Sequence, residues 1–375
     1  MKKIFWGVQN LNLIGGTETV SIELMNMLCP YYDIHLIVLS KIEGKISYTL
    51  DPRIKIIELN VPTRVGRFDQ YCAKYVKERN WKGLFGLFKD TLDAFAFHRN
   101  RVRKRIASLM DEDSIYIGSA LDSYLNAPKK GHVFFHFHFN EKEFFSFANR
   151  LGFFLSRKPE KFIFLTASTM DRVCERKRSL RSKSTFVYNP IKLDPVLDLS
   201  YHQGTIVFIG RFSEQKDPLF ALKIAKVLHD RSFSFRMKMY GEGHLEEEMR
   251  AFVTDAHLSE VEIIVGHATT KEDYLNADLV LCTSKFEGYY LVKGEANACS
   301  RPLITTKWEG PIAELFLDNQ DGWVIQERNP SLFADKIIEF LSDESKLAEA
   351  KAKAFEGAKR FSKDVILSKW KEILK

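Results

Sequence analysis

The chain alternates short, continuous apolar runs with longer stretches whose apolar residues recur every three or four positions. In the first half the runs fall at 4–8, 34–39, 54–59, 114–117, 132–139, 162–166 and 185–188. A continuous run bounded by turn residues fits a strand buried on both faces, and the amphipathic stretches between runs fit helical crossovers. This half therefore predicts a doubly wound, parallel α/β domain. The pattern stops at Asn189-Pro190-Ile-Lys-Leu-Asp-Pro195, where two prolines break any element. It resumes at 205–210 and continues through 235–240, 261–265, 278–282, 302–305 and 323–325, predicting a second α/β domain. The expected organisation is residues 1–190, a hinge at 191–203, residues 204–360, and a C-terminal helix at 361–375. Val365, Ile366, Lys369, Trp370 and Ile373 give that helix one apolar face, which could cap either domain and is expected to return to the first.

Composition agrees with two packed domains: 375 residues at 45% hydrophobic content suffice for two cores. Thirty phenylalanines imply large cores or surfaces that meet lipid or sugar. The start, MKKIFWGVQNLNLIGG, is interrupted by Gln9, Asn10 and Asn12, so it reads as a strand and not as a leader. No run reaches the roughly 18 apolar residues of a membrane span, so a soluble or peripheral protein is expected. Cys29, Cys72, Cys174, Cys282 and Cys299 are odd in number and scattered, which fits neither a disulfide framework nor a CxxC metal site, and points to the cytoplasm. The net charge of +7 is uneven. Residues 64–105 carry twelve Lys or Arg against four acids, and residues 150–183 carry ten against three. Such stretches are solvated helix faces or patches for lipid headgroups, phosphorylated substrates or nucleic acid.

Four constellations carry candidate chemistry. Gly15-Gly16-Thr17-Glu18 follows the first strand and opens a helix, where exposed N–H groups and the helix dipole favour an anion; a capped tight turn explains it equally well. It is not GxGxxG, so a nicotinamide or flavin fold is not supported. Arg211 and Lys216 follow the first strand of the second domain, where α/β sheets bind ligands, and two cations there suit a diphosphate; the alternative is surface charge. Glu287 and Glu295 follow the strand at 278–282. If a helix begins near Tyr290, Glu287 lies at its N-terminus and Glu295 one turn inside, both able to accept from sugar or ribose hydroxyls. A helix-dipole partner, a solvated helix face and a hydrolase acid pair are the rival readings. His136 and His138 alternate with Phe135, Phe137 and Phe139, so both histidines share one face. They could meet substrate, sit satisfied in the core, or ligate a metal, although no acid or cysteine stands at a matching spacing.

Together these motifs resemble the retaining glycosyltransferases of family 4, and the resemblance spans nearly the whole chain. Gly15-Gly16-Thr17-Glu18 is similar to the family's Gly-Gly-x-Glu start, Gly210-Arg211 through Lys216 to its diphosphate clamp, and Glu287 through Glu295 to its E-x7-E signature. Gly241-Glu-Gly243 and Gly310-Pro-Ile-Ala-Glu314 stand where the family has glycine turns. The resemblance implies the GT-B fold, two facing Rossmann-like domains with parallel sheets and an interdomain cleft. It implies that Arg211 and Lys216 neutralise the leaving diphosphate, that Glu295 holds the ribose, and that Glu287 and His138 contact the donor sugar, with His136 as runner-up. Gly15, Gly16, Gly241, Gly288, Tyr289, Tyr290 and Leu291 complete the implied donor contacts. No metal and no further cofactor is implied.

The chain departs from the pattern at Tyr289-Tyr290, where the family usually has a Gly or Pro, at Lys293 and Gly294, where apolar residues are frequent, and at Ser300, where a glycine is usual. Tyr290 is expected to reshape the donor pocket, and Ser300 weakens the case for a special backbone angle. Asn189-Pro190-Ile191 resembles members that use UDP-sugars. The implied activity is transfer of a hexose or N-acetylhexosamine to a glycan, glycoprotein or polyprenyl-linked acceptor in cell-surface assembly. Residues 64–105 and 140–183 are expected to meet an anionic inner membrane face. The alternatives are a nucleotide-sugar-binding protein without transfer, a nucleotide-sugar epimerase of similar fold, and a nucleic-acid-binding protein favoured by charge alone.

Overall fold

The computed structural model describes all residues except 13–14, 43–45, 47, 61–73, 94–98, 139–140, 268, 288, 309–310 and 317–319. It divides into two compact units, one of Met1–Tyr188 with Leu367–Lys375, the other of Asn189–Ile366. Each is a parallel sheet with helical crossovers.

The first unit holds β1 (Lys3–Val8), β2 (Asp33–Val38), β3 (Lys55–Glu58), β4 (Ile115–Gly118), β5 (His132–Phe137), β6 (Lys161–Phe164) and β7 (Ser184–Phe186). Their order is β3-β2-β1-β4-β5-β6-β7, so the direction of winding reverses between β1 and β4. Every pairing is parallel, as the continuous apolar runs require, because both faces of such a sheet are covered. Phe5, Tyr116, Phe135, Phe137 and Phe164 are fully buried in one core. On the other side of β1, Trp6 packs against Trp370, ring centroids 5.2 Å apart, and donates from Nε1 to Ser119 Oγ at 2.8 Å. Lys2 and Lys161 add hydrogen bonds to the carbonyls of Leu374 and Ile373, so the last residues of the chain are fastened to the first unit.

The second unit holds β8 (Thr205–Ile209), β9 (Arg236–Tyr240), β10 (Val261–Ile264), β11 (Leu279–Cys282), β12 (Leu303–Thr306) and β13 (Gly322–Ile325), in the order β10-β9-β8-β11-β12-β13. Here winding reverses between β8 and β11. Ligands of doubly wound sheets bind outside the carboxyl ends of the strands at such a reversal. The segment that opens this unit is bonded along it: Ile191 donates from its amide to Phe361 O, Val196 to Ala298 O, and Lys271 Nζ to Asp194 O. Asp278, fully buried at the start of β11, accepts from the amides of His202, Gly204 and Thr205 at 3.0, 3.0 and 3.2 Å and from Lys351 Nζ at 2.8 Å.

Trp370 is fully buried, with its ring edge-on to His136 as well as against Trp6. Trp370→Ala is expected to destabilise the first unit by about 3–5 kcal/mol, the usual cost of removing a buried tryptophan, read as a shifted chemical-denaturation midpoint.

Candidate functional site

Residues gathered at the β8/β11 reversal form the candidate site of the second unit. After β8 the chain runs through Gly210 and Arg211 to Asp217, which takes the left-handed conformation (φ 48°, ψ 60°) just before Pro218 opens the helix Pro218–Asp230. Lys216 lies back over Gly210, where an added Cβ would meet its Cγ and Cδ at 3.4 Å. The loop after β9 presses on the same place. A Cβ on Gly241 would stand 2.0 Å from Gly210 O, and Gly243 (φ +154°) would place one 2.3 Å from Phe212 O, so neither position admits a side chain.

After β11 the chain passes Glu287 and enters the helix Leu291–Ala298. Lys216 Nζ and Glu287 Oε1 are 2.6 Å apart, with both side chains largely buried. The same ammonium sits 4.9 Å from the ring centroid of Tyr290, itself only 3% exposed and edge-on to Trp308. The tyrosine is thus folded beneath the ion pair, and burial pushes its phenol well up, leaving it neutral. Tyr290 is the N-cap residue of the helix and makes no side-chain cap, which leaves the first-turn amides to other acceptors. Tyr289 donates from its hydroxyl to Asn189 O at 3.4 Å. Leu291 is half-buried at the helix start, and Gly288 lies outside the described residues. Glu295, one turn in, accepts from the Tyr274 hydroxyl at 2.7 Å. Burial raises its carboxyl above the usual range, against the lowering effect of that hydrogen bond and of Lys192. Arg211 is exposed, its guanidinium 3.4 Å from Gln215 Oε1. The structure therefore brings Lys216, Glu287 and Tyr290 together and holds Glu295 on the same short helix.

The other candidates lie in the first unit, after β1 and at the end of β5. Gly15 is the N-cap of the helix Gly16–Leu28, and its amide donates to the Tyr48 hydroxyl at 3.0 Å. Glu18 stands in the first turn, its carboxyl raised by burial and lowered in part by a backbone hydrogen bond. His136 and His138 share a face, ring centroids 4.1 Å apart, His136 1% and His138 8% exposed. Burial lowers both, His136 further through its neighbour and His138 to about 3, so both imidazoles are neutral. Phe139 lies outside the described residues. Among the described residues no group of three or more His, Cys, Asp or Glu is placed to hold a metal ion.

Three residues correct or extend the reading from sequence. Ser300 does take the left-handed angle (φ +59°) that a glycine would favour, so the special backbone angle is present. Its hydroxyl donates to Val196 O at 2.7 Å and accepts from the Asp198 amide at 3.0 Å, bonds a glycine could not make. Lys293, which stands where an apolar residue is frequent, is fully buried against Asp321 at 2.6 Å, and Arg360 reaches the same carboxylate at 3.2 Å. Arg328, not singled out from sequence, donates to Asp217 Oδ2 at 2.7 Å and to the Thr283 carbonyl at 3.1 Å, and stacks on Phe220. It joins the loop that carries Lys216 to the loop that leads to Glu287; a lone arginine after a strand has no sequence signal for that role.

Residues 194–357 match the family described as "Glycosyl transferases group 1". Among curated relatives, the poly(ribitol-phosphate) alpha-N-acetylglucosaminyltransferase of Staphylococcus aureus is 27% identical over 151 residues, 40% of this chain and 31% of its own. The amylovoran biosynthesis glycosyltransferase AmsD of Erwinia amylovora is 21% identical over 386 residues, the full length of both chains. The chain spans between 29% and 50% of the length of the first three curated relatives it matches. Among solved structures, TarM superposes with a TM-score of 0.77 at 16% identity, covering 100% of this chain and 99% of its own. HepE of Anabaena in complex with UDP gives 0.74 at 16% identity, covering 100% and 99%. The fold is therefore that of these GT-B proteins: two Rossmann-like α/β domains with parallel sheets.

The buried lysine yields a pH signature. Burial lowers the Lys293 ammonium from 10.5 to about 8, against the raising effect of Asp321. Between these values the unfolded chain binds more protons here than the folded one, so this residue makes stability rise with pH across that window, and the penalty is fully present below it. Lys293→Met is expected to gain less stability than the parent as pH rises through the window, by up to about 3 kcal/mol, measured by urea denaturation at each pH.

Proposed function

We propose that the protein is a retaining glycosyltransferase of family 4 that moves a hexose or N-acetylhexosamine from a UDP-sugar to a glycan or lipid-linked acceptor in cell-surface polysaccharide or glycoprotein assembly. The observation that carries this reading is the Lys216–Glu287 pair at the β8/β11 reversal, with Glu295 one turn into the helix that follows Glu287. A carboxylate, a cation and a second carboxylate at the ligand-binding edge of the sheet match the sugar, the diphosphate and the ribose of such a donor. Two further findings support it: a structural neighbour of the same fold was solved with UDP, and the relatives named above are glycosyltransferases.

In this reading the donor diphosphate competes with Glu287 for the Lys216 ammonium. Once displaced, Glu287 is free to accept from a sugar hydroxyl, while Lys216 and Arg211 offset the charge that grows on the leaving diphosphate. Tyr290, under the ammonium, keeps an attractive partner for it when the carboxylate leaves. Glu295 accepts from the ribose hydroxyls, each such charged hydrogen bond worth about 1.5–3 kcal/mol. The Leu291 amide and its neighbours at the uncapped helix start face the donor sugar. Retention follows a front-face displacement: the acceptor oxygen bonds to the anomeric carbon on the face from which the diphosphate departs, and a donor phosphate oxygen takes the acceptor proton. Such a route asks the protein for positioning and electrostatics, and the clamp residues take the part of a divalent cation. His138, neutral at physiological pH, can donate from one ring nitrogen and accept at the other.

UDP release from a panel of UDP-sugars, with and without a glycan acceptor, tests the proposal. Lys216→Ala and Glu295→Ala are each expected to lower acceptor-dependent release by about 100-fold or more, and EDTA to leave it unchanged. A product of inverted anomeric configuration by NMR would overturn retention. Donor that binds without release would favour a binding protein, and conversion of the donor sugar without acceptor would favour an epimerase.

A further inference from the structure

The helix Phe147–Leu155 and the residues after it border a groove of about 960 Å³ on the first unit. Its floor is apolar: Phe144, Phe162 and Leu180 are buried there, with Phe153 half-buried between. Phe153 lies 4.9 Å from Phe144, 6.1 Å from Phe135 and 5.8 Å from Phe162 between ring centroids, so the floor rings are spent on one another. At the mouth the arrangement reverses. Leu151 and Phe154, three residues apart on one helix face, are 41% and 84% exposed. A phenylalanine so exposed costs free energy in water that burial elsewhere would recover.

The rim is cationic. Arg150, Lys158, Arg176, Lys177 and Lys183 line the groove and all are exposed, and no acid is among the lining residues. Arg176 pairs with Glu141 at 2.9 Å and stacks on Phe145. The other four have no acid within ion-pair distance among the described residues. Three acids nearby are engaged by other partners: Glu160 by His132 at 2.7 Å, Asp171 by Arg181, and Glu141 by Arg172 at 3.3 Å as well as by Arg176. Four uncompensated cations around protruding apolar side chains complement a surface that is anionic outside and hydrocarbon beneath. Double-stranded nucleic acid would satisfy the charges but would leave Leu151 and Phe154 without an apolar partner, and stacked bases would satisfy Phe154 but not the aliphatic Leu151. Among the described residues no helix is long and apolar enough to cross a membrane, which fits contact at a surface.

We propose that this groove docks the protein on a membrane carrying anionic phospholipid, with Phe154 and Leu151 entering the acyl boundary and the rim cations on the headgroup phosphates. The geometry is that of an interfacial helix, whose apolar face sits roughly 5–10 Å into the headgroup region. The proposal goes beyond the glycosyltransferase reading and does not depend on it, because docking is measured without donor or acceptor.

The test is flotation of the full chain with vesicles of phosphatidylcholine, with and without phosphatidylglycerol. Binding is expected only with phosphatidylglycerol, and it should weaken as salt screens the rim. Phe154→Ser is expected to lower the partition coefficient about 10–100-fold, the loss of one inserted aromatic side chain. Replacing Lys158, Lys177 and Lys183 together by Gln should lower it about 100-fold, at about fivefold per cation, while the same three replaced by Arg should bind as the parent does. All four positions are exposed, and an unchanged thermal midpoint confirms that the variants fold. A Phe154→Trp reporter should shift to shorter emission wavelength and be quenched by brominated acyl chains. Equal binding to neutral vesicles, Ser or Gln variants that bind as the parent, binding that needs a polyprenyl phosphate in the bilayer, or capture by RNA without vesicle binding would each overturn the proposal.

Discussion

Two loops that leave adjacent parallel strands must be held at a fixed separation if a cation on one is to face a carboxylate on the other. In the second unit that separation is set by the guanidinium of Arg328. It bonds the carboxylate of Asp217, which holds an uncommon left-handed backbone, and the carbonyl of Thr283 just beyond β11. Thr283 Oγ1 in turn donates to the carbonyls of Lys216 and Asp217 at 2.9 and 2.8 Å. A guanidinium presents its donors in a fixed planar fork, so the directions of carboxylate and carbonyl are set together; a lysine would supply the charge and donors without that rigidity. The Lys216–Glu287 pair is short because its two loops are tied together at Asp217, next to Lys216, and at Thr283, four residues before Glu287.

Buried charge recurs in this unit, and several of its carboxylates and guanidiniums have more than one partner. Lys293 and Arg360 share Asp321, Lys351 and three amides share Asp278, and Arg301 divides its donors among the carboxylate of Asp198 and the carbonyls of Tyr274, Leu275 and Asp198. Such groups add less to stability than an apolar core of the same volume, and their worth lies in excluding other arrangements. Here they fix two things that matter for the candidate site: the helix Leu291–Ala298, through Lys293, and the segment 194–205, through Asp198 and Asp278. A shift of that helix by one residue would bury a lysine without a counter-ion.

How far all this was visible in the sequence follows from which features are local. The strands could be read because a parallel sheet needs both faces apolar, and that leaves continuous runs. Glu295 could be placed one turn into a helix because spacing along a helix is local geometry. Ser300 was misjudged because its left-handed angle is maintained by bonds to Val196 and Asp198, about a hundred residues away, which no local rule contains. Tyr290 could be marked in the sequence as a departure expected to reshape the donor pocket, but its packing onto Trp308 and under the Lys216 ammonium depends on partners no local rule names. Lys293 looked anomalous for a similar reason, since Asp321 is out of sight along the chain. Arg328 was invisible for the opposite reason, being an ordinary residue in an ordinary place. Of the basic stretches, much of 64–105 lies outside the described residues, whereas 150–183 resolved into a groove only once Phe144 and Phe162 were seen to form its floor.

The Trp6–Trp370 contact bears on how the protein is made. A ribosome delivers residues in order at about 5–20 per second, and N-terminal domains ordinarily fold while the rest is still being synthesised. The first unit cannot finish in that way, because Trp370 emerges 182 residues after Tyr188. For roughly 10–40 seconds the nascent sheet carries Trp6 and His136 without the indole that covers them. During that interval the second unit, contiguous from Asn189 to Ile366, is the part able to complete itself, so the half of the chain that is synthesised first is the half that matures last.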